Sequence, residues 1–139
     1  MAEYKIPSIT ADIFIVNEKM EFILIRRKND PYKNCWALPG GFMEYGETIE
    51  NAAIREAKEE TSIDVELIDL VNVYSEPSRD PRGHTVTVAF LARGDFTKRK
   101  AASDAEDIGI FSHDDIDKLD IAFDHRKIIE DSLNKAKKG

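Results

Sequence analysis

No proline or glycine interrupts TIENAAIREAKEET, Thr48 to Thr61, and this run constrains the fold more than any other segment. Thr48 supplies an N-cap oxygen, and Ile49, Ala53 and Ala57 recur every four residues, which predicts a helix with a narrow packing stripe. At about 100° per residue, Glu56, Glu59 and Glu60 fall within roughly 100° of one another, and Glu56 and Glu60 stand about 6 Å apart along the axis. Three carboxylates therefore share one face. Like charges at this spacing cost a helix a few tenths of a kcal/mol per pair unless protons or cations relieve them. A bound divalent cation is one relief, and ordinary ion pairs on a solvated acidic helix are another; spacing alone does not choose between them. If a cation is bound, all-oxygen ligation selects magnesium or manganese, whose usual partners are carboxylates and phosphate oxygens, and that suits phosphoryl or nucleotidyl chemistry. Arg55, beside Glu56, is placed to pair with Glu47 and to fix the preceding loop to the helix.

Around this helix the chain reads mainly as strands. ITADIFIVNE and KMEFILIRRK are two of them, joined through Asn17, Glu18 and Lys19, most simply as a hairpin. WALP is a short apolar segment, and Gly40-Gly41 after it lets the backbone bend or approach closely. IDVELIDLVNVYS gives one or two strands and HTVTVAFLAR another, with EPSRDPRG between them as an exposed loop. KRKAASDAED reads as a polar loop, IGIFS as a short strand or turn, and DDIDKLDI as a short helical or irregular piece. DHRKIIEDSLNKAKK closes the chain as an amphipathic helix with Ile128, Ile129 and Leu133 inward. Strands and helices mix without regular alternation, which favours an α+β fold over a doubly wound sheet.

The 139 residues suit one domain spanning 1–139. A formal charge of -7, from 27 acidic and 20 basic residues, argues against a surface that holds nucleic acid by neutralising phosphates. A small anionic substrate needs local arginine, lysine or metal instead. Cys35 is the only cysteine, which excludes an internal disulfide and suits a reducing compartment. Apolar runs such as ADIFIV and TVAFLA are too short to span a membrane, and MAEYKIPSIT lacks the pattern of a signal peptide. A cytoplasmic location without a membrane partner is the expectation.

Gly41, Glu47, Arg55-Glu56 and Glu59-Glu60, within the run from Gly41 to Ile63, resemble the signature of the Nudix hydrolases. The departure inside the signature is Ser62, where that family usually carries glycine at the helix end. The WALPGG approach and the order of the strands extend the resemblance to most of the chain. It implies a mixed β-sheet in an α/β/α sandwich and a metal-dependent hydrolase that cuts a diphosphate joined to another moiety. By position it implies Glu56 and Glu60 as principal metal ligands, completed by the Gly40 carbonyl. The resemblance further implies that Glu59 holds a further ion, or orients or deprotonates water, and that Glu47 and Arg55 give support. The implied cofactor is magnesium, with manganese as an alternative, and a homodimer is expected on the same ground.

YSEPSRDPRGHTV and IAFDHRKII also resemble the ADP-ribose pyrophosphatases of that family, which favours ADP-ribose as substrate and AMP with ribose 5-phosphate as products. Arg79 and Arg82 are candidates to meet phosphate or sugar oxygens, Asp80 to accept a ribose hydroxyl, and His84 to donate to either. A charged surface turn accounts for the same loop equally well. Arg26 and Arg27 are candidates for phosphate contact, and Tyr74, Trp36 and Phe42 for stacking on adenine. A general base from beyond the signature falls among Asp104, Glu106 and Asp107, with Glu106 the first choice. Alternatives are another nucleoside diphosphate sugar or a nucleoside triphosphate as substrate, a nucleotide-sugar sensor without turnover, and an interaction domain whose glutamates only solubilise a helix.

Overall fold

The computed structural model describes residues 5–101 and 105–138, apart from the side chains of Ala105 and Glu106. Its centre is strand β1, Ser8–Ile15, which is buried on both faces. Successive side chains of a strand point to opposite sides. Ala11, Ile13 and Ile15 accordingly pack with Ala52, Ala53 and Ala57 of helix α1, Ile49–Thr61. Phe14 and the following Val16 pack with Ile128, Ile129 and Leu133 of helix α2, His125–Lys138. Burial on both sides explains why ADIFIV is an apolar run and not an alternating one.

The remaining strands are β2, Phe22–Arg27; β3, Trp36–Ala37; β4, Gly40–Phe42; β5, Glu66–Tyr74; β6, Thr85–Arg93; and β7, Ala105–Phe111. They form a four-stranded sheet in the order β4-β1-β6-β5 and a three-stranded sheet in the order β3-β2-β7. β1 runs parallel to β6 and antiparallel to β4, so the larger sheet is mixed and the class is α+β, as expected. Among the described residues no helix is long and apolar enough to cross a membrane.

Three local expectations need correction, the first being that the expected polar loop ends early, since Ala105 to Asp107 belong to β7. The hairpin between β1 and β2 reduces to one antiparallel bridge, Val16 to Phe22, closed by a turn in which the Asn17 N–H donates to the Glu21 carbonyl. β4 and β6 occupy both edges of β1, so β2 leaves to pair with β3 and β7. The loop expected to be exposed carries a buried arginine: the Arg79 side chain is only 5% exposed. Its Nε and Nη2 donate to both oxygens of Asp124, at 2.8 and 2.6 Å, and Nη1 donates to Thr87 Oγ1 at 2.6 Å. The ion pair pins the loop to the entry of α2.

Helix α1 starts as expected, with the Thr48 hydroxyl accepting the Asn51 N–H at 3.1 Å. Its buried stripe is Ala52, Ala53, Ala57 and Thr61, with Ile49 at the edge. Small side chains let the helix sit close on β1. At its end Ser62 adopts the left-handed conformation, φ 66°, and its N–H donates to the Lys58 carbonyl. The exit turn is therefore made without a glycine, at a cost of about 1 kcal/mol. Ser62→Gly is expected to raise stability by about that amount, because the Ser62 Oγ contact to the Lys100 carbonyl is long at 3.5 Å. Urea and thermal unfolding read the change, and a lower midpoint in the variant would contradict this account of the turn.

Candidate active site

Arg55 organises the acidic face. A guanidinium has five N–H donors in a fixed fork. Here Nε and Nη2 donate to the two oxygens of Glu47, at 2.7 and 3.0 Å, and Nη2 also donates to the Phe42 carbonyl at 3.0 Å. Nη1 donates to Glu56 Oε1 at 2.7 Å and to the Glu59 carboxylate at 3.3 Å. The expected pairing with Glu47 is present, and one side chain ties the loop after β4 to two turns of α1. Glu56 is mostly covered and Glu59 is largely open, their side chains being 13% and 56% exposed.

Glycine shapes the other wall. A Cβ on Gly41 would lie 2.5 Å from the Glu56 carboxylate, and one on Gly40 would lie 2.3 Å from both the Ala11 carbonyl and Asp12 Oδ1. The Gly40 N–H donates to Glu60 Oε1 at 2.8 Å. Between this strand and the helix lies a groove of about 410 Å³, lined by Glu56, Glu60, Glu44, Gly40, Gly41, Arg27 and Lys28.

The donor set fits a hard divalent ion in kind. Arg55 brings one positive charge to Glu47, Glu56 and Glu59, so the face keeps an excess of negative charge, and its ligand atoms are all oxygen. In this conformation, among the described residues, no three acidic, histidine or cysteine side chains are gathered into a ready cage. Arg55 draws Glu56 and Glu59 toward itself through Nη1.

Next to the groove lies a cavity of about 130 Å³. Arg27, Gly40, Gly41, Phe42 and Glu60 line both, so the acidic face opens toward it. The mouth is cationic and aromatic: Arg27 and Arg82 lie over the Phe123 ring at 5.1 and 5.5 Å, and Arg82 also lies over Phe42 at 5.8 Å. Phe123 sits at φ 54°, a strained value for an aromatic residue, and packs on Tyr32 with ring centroids 4.7 Å apart. Burial, and then the positive charge of Arg82, lower the Arg27 pKa. Burial works to raise Asp80, but hydrogen bonds and charge from Arg82 outweigh it and bring the carboxyl below its ordinary value.

The substrate candidates read from the sequence separate here. Arg27, Arg79, Asp80 and Arg82 line the cavity. The N–H groups of Arg79 are engaged by Asp124, Thr87 and Thr85, and Asp80 holds Arg82 through three hydrogen bonds of 2.9 to 3.1 Å. His84 lines a neighbouring depression with Lys5 and Arg82, its Nε2 lying 2.9 Å from the Ser75 carbonyl. Arg26 lines neither the cavity nor the groove, and its guanidinium lies over the Trp36 ring at 5.9 Å. Of the proposed stacking residues only Phe42 reaches the cavity; Tyr74 is buried and bonds Asp131, and Trp36 packs on Phe111. Asp104 and the Glu106 side chain lie outside the described residues. Asp12, His125 and Phe123 line the cavity and were not read from the sequence as site residues. For Asp12 the signal was present as a carboxylate in the middle of an apolar strand.

Hydrogen bonds from Arg55, with a backbone bond from Glu44 second, lower the Glu47 carboxyl to about 2 against the opposing effect of burial. The folded value lies below the unfolded one of about 4.3, so the interaction stabilises the fold fully above that pH and is lost as pH falls toward 2. Glu47→Gln is therefore expected to be less stable than the parent at pH 7, with the difference shrinking from about pH 4.5 downward. Urea unfolding across pH 7 to 2.5 measures it, and a gap independent of pH would refute the ion pair as its source.

The model of the NUDIX domain matches residues 7–132. The ADP-ribose pyrophosphatase of Methanocaldococcus jannaschii is 44% identical over 130 residues, 94% of this chain and 75% of that protein. The ADPR responsive transcriptional repressor NtrR of Acinetobacter baylyi is 34% identical over 138 residues, 95% of this chain, which spans 55% of the repressor. Among solved structures, the NUDIX domain of Shewanella oneidensis NrtR complexed with ADP ribose superposes with a TM-score of 0.85 at 27% identity, covering 96% of this chain and 90% of that one. With the acidic helix, its arginine clamp and the glycine wall in place, and with matches over nearly the whole length, the chain belongs to the NUDIX domain family, as a Nudix pyrophosphohydrolase.

Proposed function

We propose that this protein hydrolyses the diphosphate of ADP-ribose, with water adding to one phosphorus, the P–O–P bridge breaking, and AMP and ribose 5-phosphate leaving. The observation that carries this reading is the junction of the two spaces: a carboxylate groove and an arginine-mouthed cavity share Arg27, Gly40 and Glu60. A diphosphate bridging that junction meets Arg27 and Arg82, like charges over one ring whose mutual repulsion an anion relieves. Magnesium or manganese, held by Glu56, Glu60 and the Gly40 carbonyl with Glu59 alongside, would supply charge withdrawal from phosphorus and a water of lowered pKa. Glu47 holds Arg55, and Arg55 positions Glu56. Glu59, the more exposed acid, or Glu106 takes the proton of the attacking water. The 44% identity to an ADP-ribose pyrophosphatase supports the choice of substrate.

A second reading, sensing of ADP-ribose without turnover, is favoured by the 34% identity to an ADPR responsive repressor. Product analysis separates the two. Purified protein with ADP-ribose and magnesium is expected to give AMP and ribose 5-phosphate, with none when the metal is chelated. Glu60→Gln is expected to lower kcat by about 100-fold or more, the scale of losing a group that organises charge in the transition state. Binding without cleavage would establish the sensor, and cleavage of another nucleoside diphosphate sugar alone would overturn the substrate.

A further inference from the structure

The floor of the 130 Å³ cavity holds a carboxylate that the acidic helix and the arginine loop do not explain. Asp12 stands in β1 between the fully buried Ala11 and Ile13 and is itself 6% exposed. A charge so placed costs several kcal/mol in lost hydration unless it is paired and hydrogen-bonded. Its pairing is incomplete. Oδ2 lies 3.1 Å from His125 Nε2, off the hydrogen-bonding direction, and has no well-formed hydrogen bond among the described residues. His125 Nδ1 accepts the Leu38 N–H at 3.0 Å, so the ring proton sits on Nε2 and faces the carboxylate. The floor thus offers a buried carboxylate that His125 orients and whose Oδ2 it does not satisfy with a well-formed hydrogen bond.

Position says what kind of donor fits. Asp12 Oδ1 is so near Gly40 that a methyl group there would lie 2.3 Å away, and Gly40 donates to Glu60, so Asp12 borders the carboxylate groove. In ADP-ribose each phosphate is esterified at C5 of a ribose, and the base lies farther off. A phosphate on this floor is repelled by Asp12, and an apolar group leaves Oδ2 unpaired. A pentose brings vicinal hydroxyls, two O–H donors at the spacing of one carboxylate, the chemistry by which an acidic side chain reads ribose in dinucleotide sites.

We propose that Asp12 is the residue by which this site selects a hydroxylated pentose, its carboxylate accepting hydrogen bonds from the sugar hydroxyls beside the scissile diphosphate. His125 is a positioning residue that orients the carboxylate. The inference rests on the reading of the site as a diphosphatase and adds a specificity determinant to it.

The test compares kcat/KM for ADP-ribose, for the analogue lacking the adenosine 2′-hydroxyl and for the analogue lacking the 2-hydroxyl of the terminal ribose. The parent, Asp12→Asn and Asp12→Ala are each measured. The parent is expected to prefer ADP-ribose over one analogue by about 100-fold, since a site built to bond a hydroxyl rejects ligands that lack it. Asp12→Ala is expected to bring that ratio to within about threefold, and the near-isosteric Asp12→Asn, which keeps one acceptor oxygen, to fall between. A purely structural role lowers all three substrates in parallel and leaves the ratio unchanged, which overturns the proposal, as does a parent that does not discriminate. Melting temperatures identify a variant that fails to fold, and the asparagine variant then decides. If the parent does not cut ADP-ribose, the same ratio is taken from dissociation constants of the three compounds by calorimetry without metal. The diphosphatase reading then falls while selection by Asp12 is still decided.

Discussion

One guanidinium hydrogen-bonded to three carboxylates and a carbonyl governs the acidic face. Arg55 fixes the loop after β4 against α1, and without it Glu56 and Glu59 would repel one another on the helix, with Glu47 of the loop adding to the repulsion. Its single charge leaves the face negative, and it engages Glu56 through Nη1. The clamp on Glu47 uses two parallel bonds, which fix the loop against the helix.

The second constraint is the double-sided burial of β1. Alanines on α1 and branched residues on α2 clamp the strand from opposite sides, and the same strand carries Asp12 to the cavity floor. A carboxylate inside such a strand is held without freedom to seek solvent. β4 pairs with β1 at Asp12 and Gly40, which brings the cavity floor and the carboxylate groove to neighbouring positions of one ladder. A substrate that spans a sugar and a diphosphate meets both through backbone register alone.

Much of this was legible in the sequence because it rests on local rules. The cap at Thr48, the packing alanines, the Arg55–Glu47 pair and the inward face of α2 follow from helical spacing. What escaped depends on distant pairing. No local signal says that β2 abandons β1, since that choice is made by β4 and β6 occupying the edges. Arg79 and Asp80 sit in a stretch rich in proline and charge that reads as solvated, and only Asp124, far along the chain, draws Arg79 inward. Asp12 was passed over because its neighbours read as an ordinary strand, although a lone carboxylate in that setting carries an energetic cost that asks for a reason. His125 and Phe123 join the site through the start of α2, by contacts that spacing along the chain does not encode.

The proposed metal site requires the negative excess on this face to hold a divalent ion at Glu56. Calorimetric titration of manganese into the parent, into Glu56→Gln and into Glu50→Gln, an exposed acid in the first turn of the same helix, tests it most directly. Saturable binding is expected, weakened by about tenfold or more in Glu56→Gln and unchanged in Glu50→Gln. Equal affinity in the parent and in Glu56→Gln would contradict it.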